Sequence, residues 1–266
     1  MVLKSLADLK NIVSGKPIKK LVLAAAQDQH SLGAVLRAWN DRIIDPILVG
    51  DKESIQNICY EQGYNVGGLR IIHEPETDMA VELSIKMLSS KQADILMKGK
   101  VGTSALLRSA LNKEWGLRTG NLLSHIALFE VETYHKLIAV TDVAMNIAPN
   151  LKDKIAIVNN SVSFLNRLGY VMPKVAVLGA VEMVNENMEA TLDAALLSKM
   201  NQRDQIRNCI IDGPLAFDNA VSIESAQHKG IKSEVAGDTD LLLMPDMEVG
   251  NVLYKSRVFF AKGKVA

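Results

Sequence analysis

Aromatic side chains are scarce here: five Phe, five Tyr and two Trp make up 5% of the chain. That is too few for the stacking platforms on which single-stranded nucleic acids are held. No charge of one sign dominates either, since thirty basic residues meet thirty acidic ones. A basic nucleic-acid face and an acidic tail are therefore not expected. The two cysteines, Cys59 and Cys209, lie far apart and form no CxxC pair, which favours two free thiols in a reducing compartment. The five histidines show no HExxH or other ligand spacing, so no protein-built metal site is expected. No apolar run approaches the roughly 20 residues of a membrane span. The first residues, MVLKSLADLKNIV, carry charges within an amphipathic pattern, unlike a secretory signal. A cytoplasmic protein with no membrane or nucleic-acid partner is the expectation.

What the chain does have is alternation. Of its 266 residues, 48% are hydrophobic and 23% charged, ordinary values for a globular protein of one or two domains. Apolar runs such as KKLVLAAA, DPILVG, LRIIHE and ADILMKG alternate with stretches of helical period. Residues 3–13 form one such helical stripe, and Thr77 stands where a cap would begin another. This pattern predicts βαβ units and mainly parallel sheets, an α/β fold. Near residue 120 the texture changes: HIALFEVE and HKLIAVTD, split by Thr133-Tyr134, predict an antiparallel hairpin. Alternation then resumes with a helix capped by Asn150, and a further helix is expected over 219–229. Two α/β domains follow from this reading, 1–119 and 120–262.

Strand ends in this pattern carry polar residues and glycines: Lys98-Gly99, Thr141-Asp142, Asp212-Gly213-Pro214 and Pro245-Asp246. In parallel sheets ligands gather at such ends, although the same residues also serve simply as turns. The stretch KGKVGTSALLR is the most suggestive. It is neither a P-loop, which needs GxxxxGK[ST], nor the dinucleotide fingerprint GxGxxG. Physically it reads as strand, glycine turn and helix N-terminus. The first amides of that helix, a hydroxyl from Thr103 or Ser104, and Arg108 one turn on could together hold an anion. The plainer reading is that Thr103 caps the helix and Arg108 is solvated. GxSxG is absent, so serine hydrolysis has no support. Asn251 and Lys255, four apart at the start of a helix, share one face.

Five strings occur in order: KGKVGTSALLRSAL, TDVAMNIAPNLKDKIAIVNNSV, PKVAVLGAVE, DGPLAFDNAV and DTDLLLMPDMEVGNVLYKS. Together they closely resemble the phosphate acetyl- and butyryltransferase family, nearest its butyryl branch, over roughly residues 20–262. The resemblance implies two α/β domains with a cleft between them, as in isocitrate and isopropylmalate dehydrogenases. It implies the reaction acyl-CoA + phosphate ⇌ acyl phosphate + CoA in a ternary complex, with butanoyl-CoA first and acetyl-CoA its rival. Coenzyme A is then a substrate, with no metal or cofactor, and the assembly is a homodimer or larger. In that frame Arg108, Asp142 and Asp212 are the catalytic candidates. Gly99, Gly102, Thr103, Ser104 and Arg108 would bind phosphate, and Lys98, Thr141, Asn251 and Lys255 would line the CoA cleft. Family members usually continue beyond FFAKGKVA into a strand and helix carrying a Ser-Arg pair and an acidic residue. That segment would complete the first domain, so acyl transfer by the 266 residues alone is expected to be weak. Two other classes stay open: an NAD-dependent dehydrogenase of the same fold, and a non-catalytic CoA-binding or assembly subunit.

Overall fold

A computed structural model describes residues 2–266. The chain opens with α1 (Ala7–Val13). It then builds β1 (Lys19–Ala24), α2 (Gln29–Asn40), β2 (Ile44–Gly50), α3 (Lys52–Glu61), β3 (Arg70–His73), α4 (Thr77–Ser89), β4 (Ile95–Lys98) and α5 (Thr103–Ala110). Next come β5 (Ala127–Glu130), β6 (Ile138–Thr141), α6 (Leu151–Arg167), β7 (Lys174–Leu178), α7 (Glu189–Gln202) and β8 (Ile210–Leu215). The remainder is α8 (Phe217–Val221), α9 (Ile223–His228), β9 (Leu241–Leu243), α10 (Met247–Phe259) and β10 (Lys264–Val265). The chain forms two compact units, Val13–Gly120 and Met1–Ile12 with Asn121–Ala266.

In the Val13–Gly120 unit the strands lie in the order β3-β2-β1-β4, all parallel. Side chains of a strand alternate between faces, and β1 uses both. Leu21 and Leu23 join Leu48 beneath α2 and α3, with Leu36 and Ile55. Val22, Ile47 and Val49 pack on the other side with Ala80 and Met87 of α4. Burial on both faces is why these strands read as unbroken apolar runs. Asp28 and Asp51 cap α2 and α3 by accepting from the amides of Ser31 and Ser54. Thr77 does not cap α4 as expected: it is already helical, and the position before it is Glu76, whose side chain caps nothing.

The other unit has a mixed sheet in the order β10-β5-β6-β9-β7-β8. β5 and β6 form the antiparallel hairpin expected about Thr133-Tyr134, and β6, β9, β7 and β8 run parallel. One face carries Ala139, Val175, Val177 and Leu243 against Ile157 and Leu165 of α6 and Leu197 of α7. The opposite face carries Val140, Ala176 and Leu242 against α8 and α10 residues such as Ala220 and Leu253. Asn150 caps α6 in a reciprocal capping box with Asp153. The helix expected over 219–229 is interrupted at Ser222, which caps α9.

The expected boundary 1–119 does not describe the start of the chain. Leu3 is buried in the core of the unit that begins at Asn121, with Leu6, Leu9 and Ile12 packed against the same cluster. The Leu137 amide donates to the Leu3 carbonyl at 2.8 Å, which fixes this docking. The apolar stripe of α1 was legible, but its partner is a surface distant in sequence.

Two ionic groups brace this unit, one buried and one half-exposed. Lys154 of α6 and Asp193 of α7 meet at 2.6 Å, both nearly inaccessible to solvent. Around Asp238, Lys136 and Lys174 approach to 2.7 Å and His135 to 2.9 Å. Burial pushes the Asp238 carboxyl up, yet hydrogen bonds from Lys136, Lys174 and His135 outweigh it and hold the group well below the usual range. A depressed carboxylate contributes stability above its unfolded pKa of about 4 and loses it as pH falls further. Thermal unfolding between about pH 4 and pH 2 should therefore show a steep loss of stability that Asp238→Asn flattens. An equal slope in the variant would refute the assignment.

Candidate functional site

Sequence-predicted residues fall on both units, and each group is built separately. In the Val13–Gly120 unit the β4 end is fixed by its neighbour. Gly99 and Lys100 donate their amides to the carbonyls of Ala24 and Ala25, both at 2.8 Å. A Cβ on Gly99 would stand 2.2 Å from the Ala25 oxygen. Gly99 is therefore glycine because two strand ends meet there, a packing reason in place of the phosphate contact expected. Lys98 also serves the turn: its ammonium donates to the Val101 carbonyl at 2.9 Å and to that of Gly99 at 3.3 Å.

Gly102 is different. Its φ of −67° suits any residue, and an added Cβ would meet nothing within 4 Å. It is the N-cap of α5, where Ser, Thr, Asp or Asn would ordinarily satisfy the first amides, and here no side chain does so. Thr103, expected as a cap, is instead the first helical residue. The amides of Thr103, Ser104 and Ala105 are left to solvent or a ligand. Thr103, Ser104 and Arg108 are all exposed. On a helix, Ser104 and Arg108 at i, i+4 share a face, and long side chains lean toward the N-terminus. Thr103 lies about 140° around the axis from Arg108 at 100° per residue. The hydroxyl that matches Arg108 is that of Ser104. Amides, hydroxyl and guanidinium together suit a tetrahedral oxyanion such as phosphate.

In the other unit, the β6 end is dense with hydrogen bonds. Asp142 is 2% exposed, and both carboxylate oxygens are occupied. One accepts the amides of Ala144 and Met145 at 2.9 Å; the other accepts the Asn146 amide group at 2.6 Å and the His125 amide at 3.2 Å. A carboxylate so saturated orders the loop and is not free for the catalytic role expected of it. Thr141 is fully buried and gives its hydroxyl to the His125 carbonyl at 2.6 Å, so it lines no cleft. Asn251 joins this corner by donating to the Val143 carbonyl at 3.2 Å. Lys255, one turn on, is exposed.

Asp212 is not at a strand end. β8 runs through it to Leu215, with a register shift against β7. Gly213 packs so closely that a Cβ would lie 2.7 Å from the Val177 carbonyl. The order β6-β9-β7-β8 puts Asp212 three strand spacings from β6, about 14 Å, so Asp142 and Asp212 do not form a pair.

His125 belongs to the Asp142 corner and was not singled out. Its Nδ1 is buried without a hydrogen bond. Its ring meets Tyr254 edge-on at 6.3 Å. Burial pushes its pKa down, against an upward pull from Asp142, which favours the neutral imidazole. The hairpin itself held the signal: Ala127 pairs with Val140, and the same register carried two residues outward sets His125 beside Asp142. Among the described residues no group of three or more His, Cys, Asp or Glu could hold a metal.

Comparison with known proteins gives these two groups of residues a context. The α/β chain resembles solved phosphotransacylases: the branched-chain phosphotransacylase of Enterococcus faecalis V583 superposes with a TM-score of 0.80 at 28% identity, covering 94% of this chain and 87% of that one. Phosphate butyryltransferase of Clostridium acetobutylicum is 47% identical over 263 residues, 99% of this chain and 87% of that protein. Phosphate acetyltransferase of Thermotoga maritima is 44% identical over 248 residues, 93% of this chain and 84% of that protein. The phosphate acetyl/butaryl transferase profile matches residues 77–264. The chain belongs to the phosphate acetyl/butaryl transferase family.

Proposed function

We propose that the protein transfers an acyl group between coenzyme A and phosphate, with butanoyl-CoA the preferred thioester and acetyl-CoA the rival. The uncapped N-terminus of α5, beneath a glycine that neither backbone nor packing requires, carries this reading. Similarity to a phosphate butyryltransferase over nearly the whole chain supports the choice of acyl group.

A phosphate oxygen attacks the thioester carbonyl carbon, forming a C–O bond and a tetrahedral oxyanion. Collapse breaks the C–S bond, and the CoA thiolate leaves and takes a proton. The α5 amides, Ser104 and Arg108 bind the phosphate and screen its charge as it nears the thioester. In the other unit, Asn251 and Lys255 contact CoA, with Lys255 offering an exposed cation to its phosphates. Asp142 holds the loop from Val143 to Asn146 in shape. Asp212 is retained as a catalytic candidate. The finer fold assignment, isocitrate/isopropylmalate dehydrogenase-like, rests on the sequence resemblance. So does a homo-oligomer, whereas a cytoplasmic location rests on the cysteine usage and the N-terminal pattern of the sequence; no described helix is long and apolar enough to cross a membrane.

Gly102→Asp tests this. An aspartate there caps α5 and sets a carboxylate where phosphate would bind. Calorimetry should show CoA binding unchanged, phosphate binding lost and thermal stability equal or higher. Thiol release from butanoyl-CoA should require phosphate and vanish in the variant. NAD binding without CoA binding would point to a dehydrogenase instead, and neither to a non-catalytic subunit.

A further inference from the structure

Three cations are buried among the described residues: Lys136, Lys154 and Arg257. The two lysines are each bonded to aspartates. Arg257 is not. It is 8% exposed, its Nη1 is buried with no hydrogen-bond partner, and no carboxylate stands beside it. Its guanidinium lies over the rings of Phe129 and Phe217, at 5.4 Å and 5.5 Å. Burial pushes it down to about 10, against a small upward pull from Tyr134. Two ring faces offset only part of the cost of taking a guanidinium out of water. A buried cation in this state lacks an anion.

Arg257 lines a cavity of about 310 Å³, together with Val131, Tyr134, Phe217, Leu253 and Ser256. That volume is at the small end for ligand pockets. Its walls are mainly apolar, and few donors face it. Tyr134 gives its hydroxyl to the Thr239 carbonyl at 2.8 Å, while the Ser256 hydroxyl has no partner. The cavity is separate from the Asp142 corner. Arg257 lies about 9 Å along α10 from Asn251 at 1.5 Å per residue, and Val131 and Tyr134 belong to the β5–β6 turn, at the other end of β6 from Asp142.

We propose that this pocket binds a small aliphatic carboxylate, the carboxylate pairing with Arg257 and Ser256 and the alkyl chain lying among Val131, Phe217 and Leu253. One guanidinium, with the hydroxyls of Ser256 and Thr133, matches a monoanion. A phosphate dianion would face the apolar walls of Val131, Phe217 and Leu253 with most of its oxygens, and an uncharged alkyl compound would leave Arg257 unpaired. The proposal is independent of the acyl-transfer reading, because none of its residues belongs to the α5 turn or the Asp142 corner.

Titration calorimetry with sodium butanoate, inorganic phosphate and butan-1-ol, at matched ionic strength, tests it. The full chain should bind one butanoate, with phosphate and butan-1-ol at least about tenfold weaker. Arg257→Leu should weaken butanoate at least about tenfold, the effect of losing a charge-assisted hydrogen bond. Ser256→Phe, which fills the cavity and keeps the charge, should do the same. Arg108→Ala should leave butanoate affinity unchanged, which separates this pocket from the α5 turn. Equal butanoate affinity in folded Arg257→Leu overturns the proposal, as does butanoate binding lost in Arg108→Ala. It is overturned too if butanoate fails to bind while sedimentation shows self-association that Arg257→Leu disrupts; the occupant is then a second copy, covering the exposed Phe259 and Phe260 as well.

Discussion

Arg108→Ala should weaken phosphate binding tenfold to a hundredfold, raising KM for phosphate while leaving CoA affinity alone. The size follows from one lost charge-assisted interaction, about 1.5–3 kcal/mol, at a residue exposed in the free protein. Arg108→Lys should recover part of the loss, since an ammonium keeps the charge but not the planar fork. A purely structural arginine would behave differently. Arg108 stands in the last turn of α5, where a cation favours the helix dipole by about 0.3–1 kcal/mol. On that account alanine lowers the melting temperature slightly and phosphate affinity stays put. The two readouts diverge, so calorimetry with phosphate beside a melting curve decides between them.

The largest stability effect should come from the buried pair of Lys154 and Asp193. Removing one partner strands the other charge away from water, a loss of about 3–5 kcal/mol in comparable pairs. Asp193→Ala should therefore shift the urea midpoint strongly. The double change Lys154→Met with Asp193→Leu replaces the pair by apolar groups and should recover most of the loss. A double variant as unstable as the single one would mean that the contact between α6 and α7, and not the stranded charge, sets the cost.

These cases also show what could be read from the chain itself. The strands were legible because burial on both faces writes each as a continuous apolar run, as in KKLVLAAA and DPILVG. The β5–β6 hairpin was legible from its central break at Thr133-Tyr134. The family could be recognised from five ordered strings. What was hidden is non-local. Nothing around Leu3 says that it docks beside Leu137, and nothing around Arg257 says that its charge is left without a carboxylate. Residue type misled in a consistent way: aspartate and threonine after an apolar run suggested a cleft. Yet Asp142 is saturated by its own loop and Thr141 is spent on the His125 carbonyl. Gly99 and Gly102 looked equivalent, and only the space around each separates packing from access.

The docking of Leu3 has a consequence for how the chain folds. The Val13–Gly120 unit is continuous, so it can close without waiting for the rest, even though its sheet pairs Leu21 of β1 with the distant Ile95 of β4. The unit around it must bring Leu3 to Leu137 across the whole intervening segment. The entropy of such a closure grows only as the logarithm of the loop, about 4 kcal/mol for this span, but the rate suffers with sequence separation. An inserted unit that has already collapsed shortens the search. Variants that slow the assembly of β1 to β4 should therefore delay the second core. A fragment started at Asn121, however well chosen by eye, would be made without the residues that cover one end of its own interior.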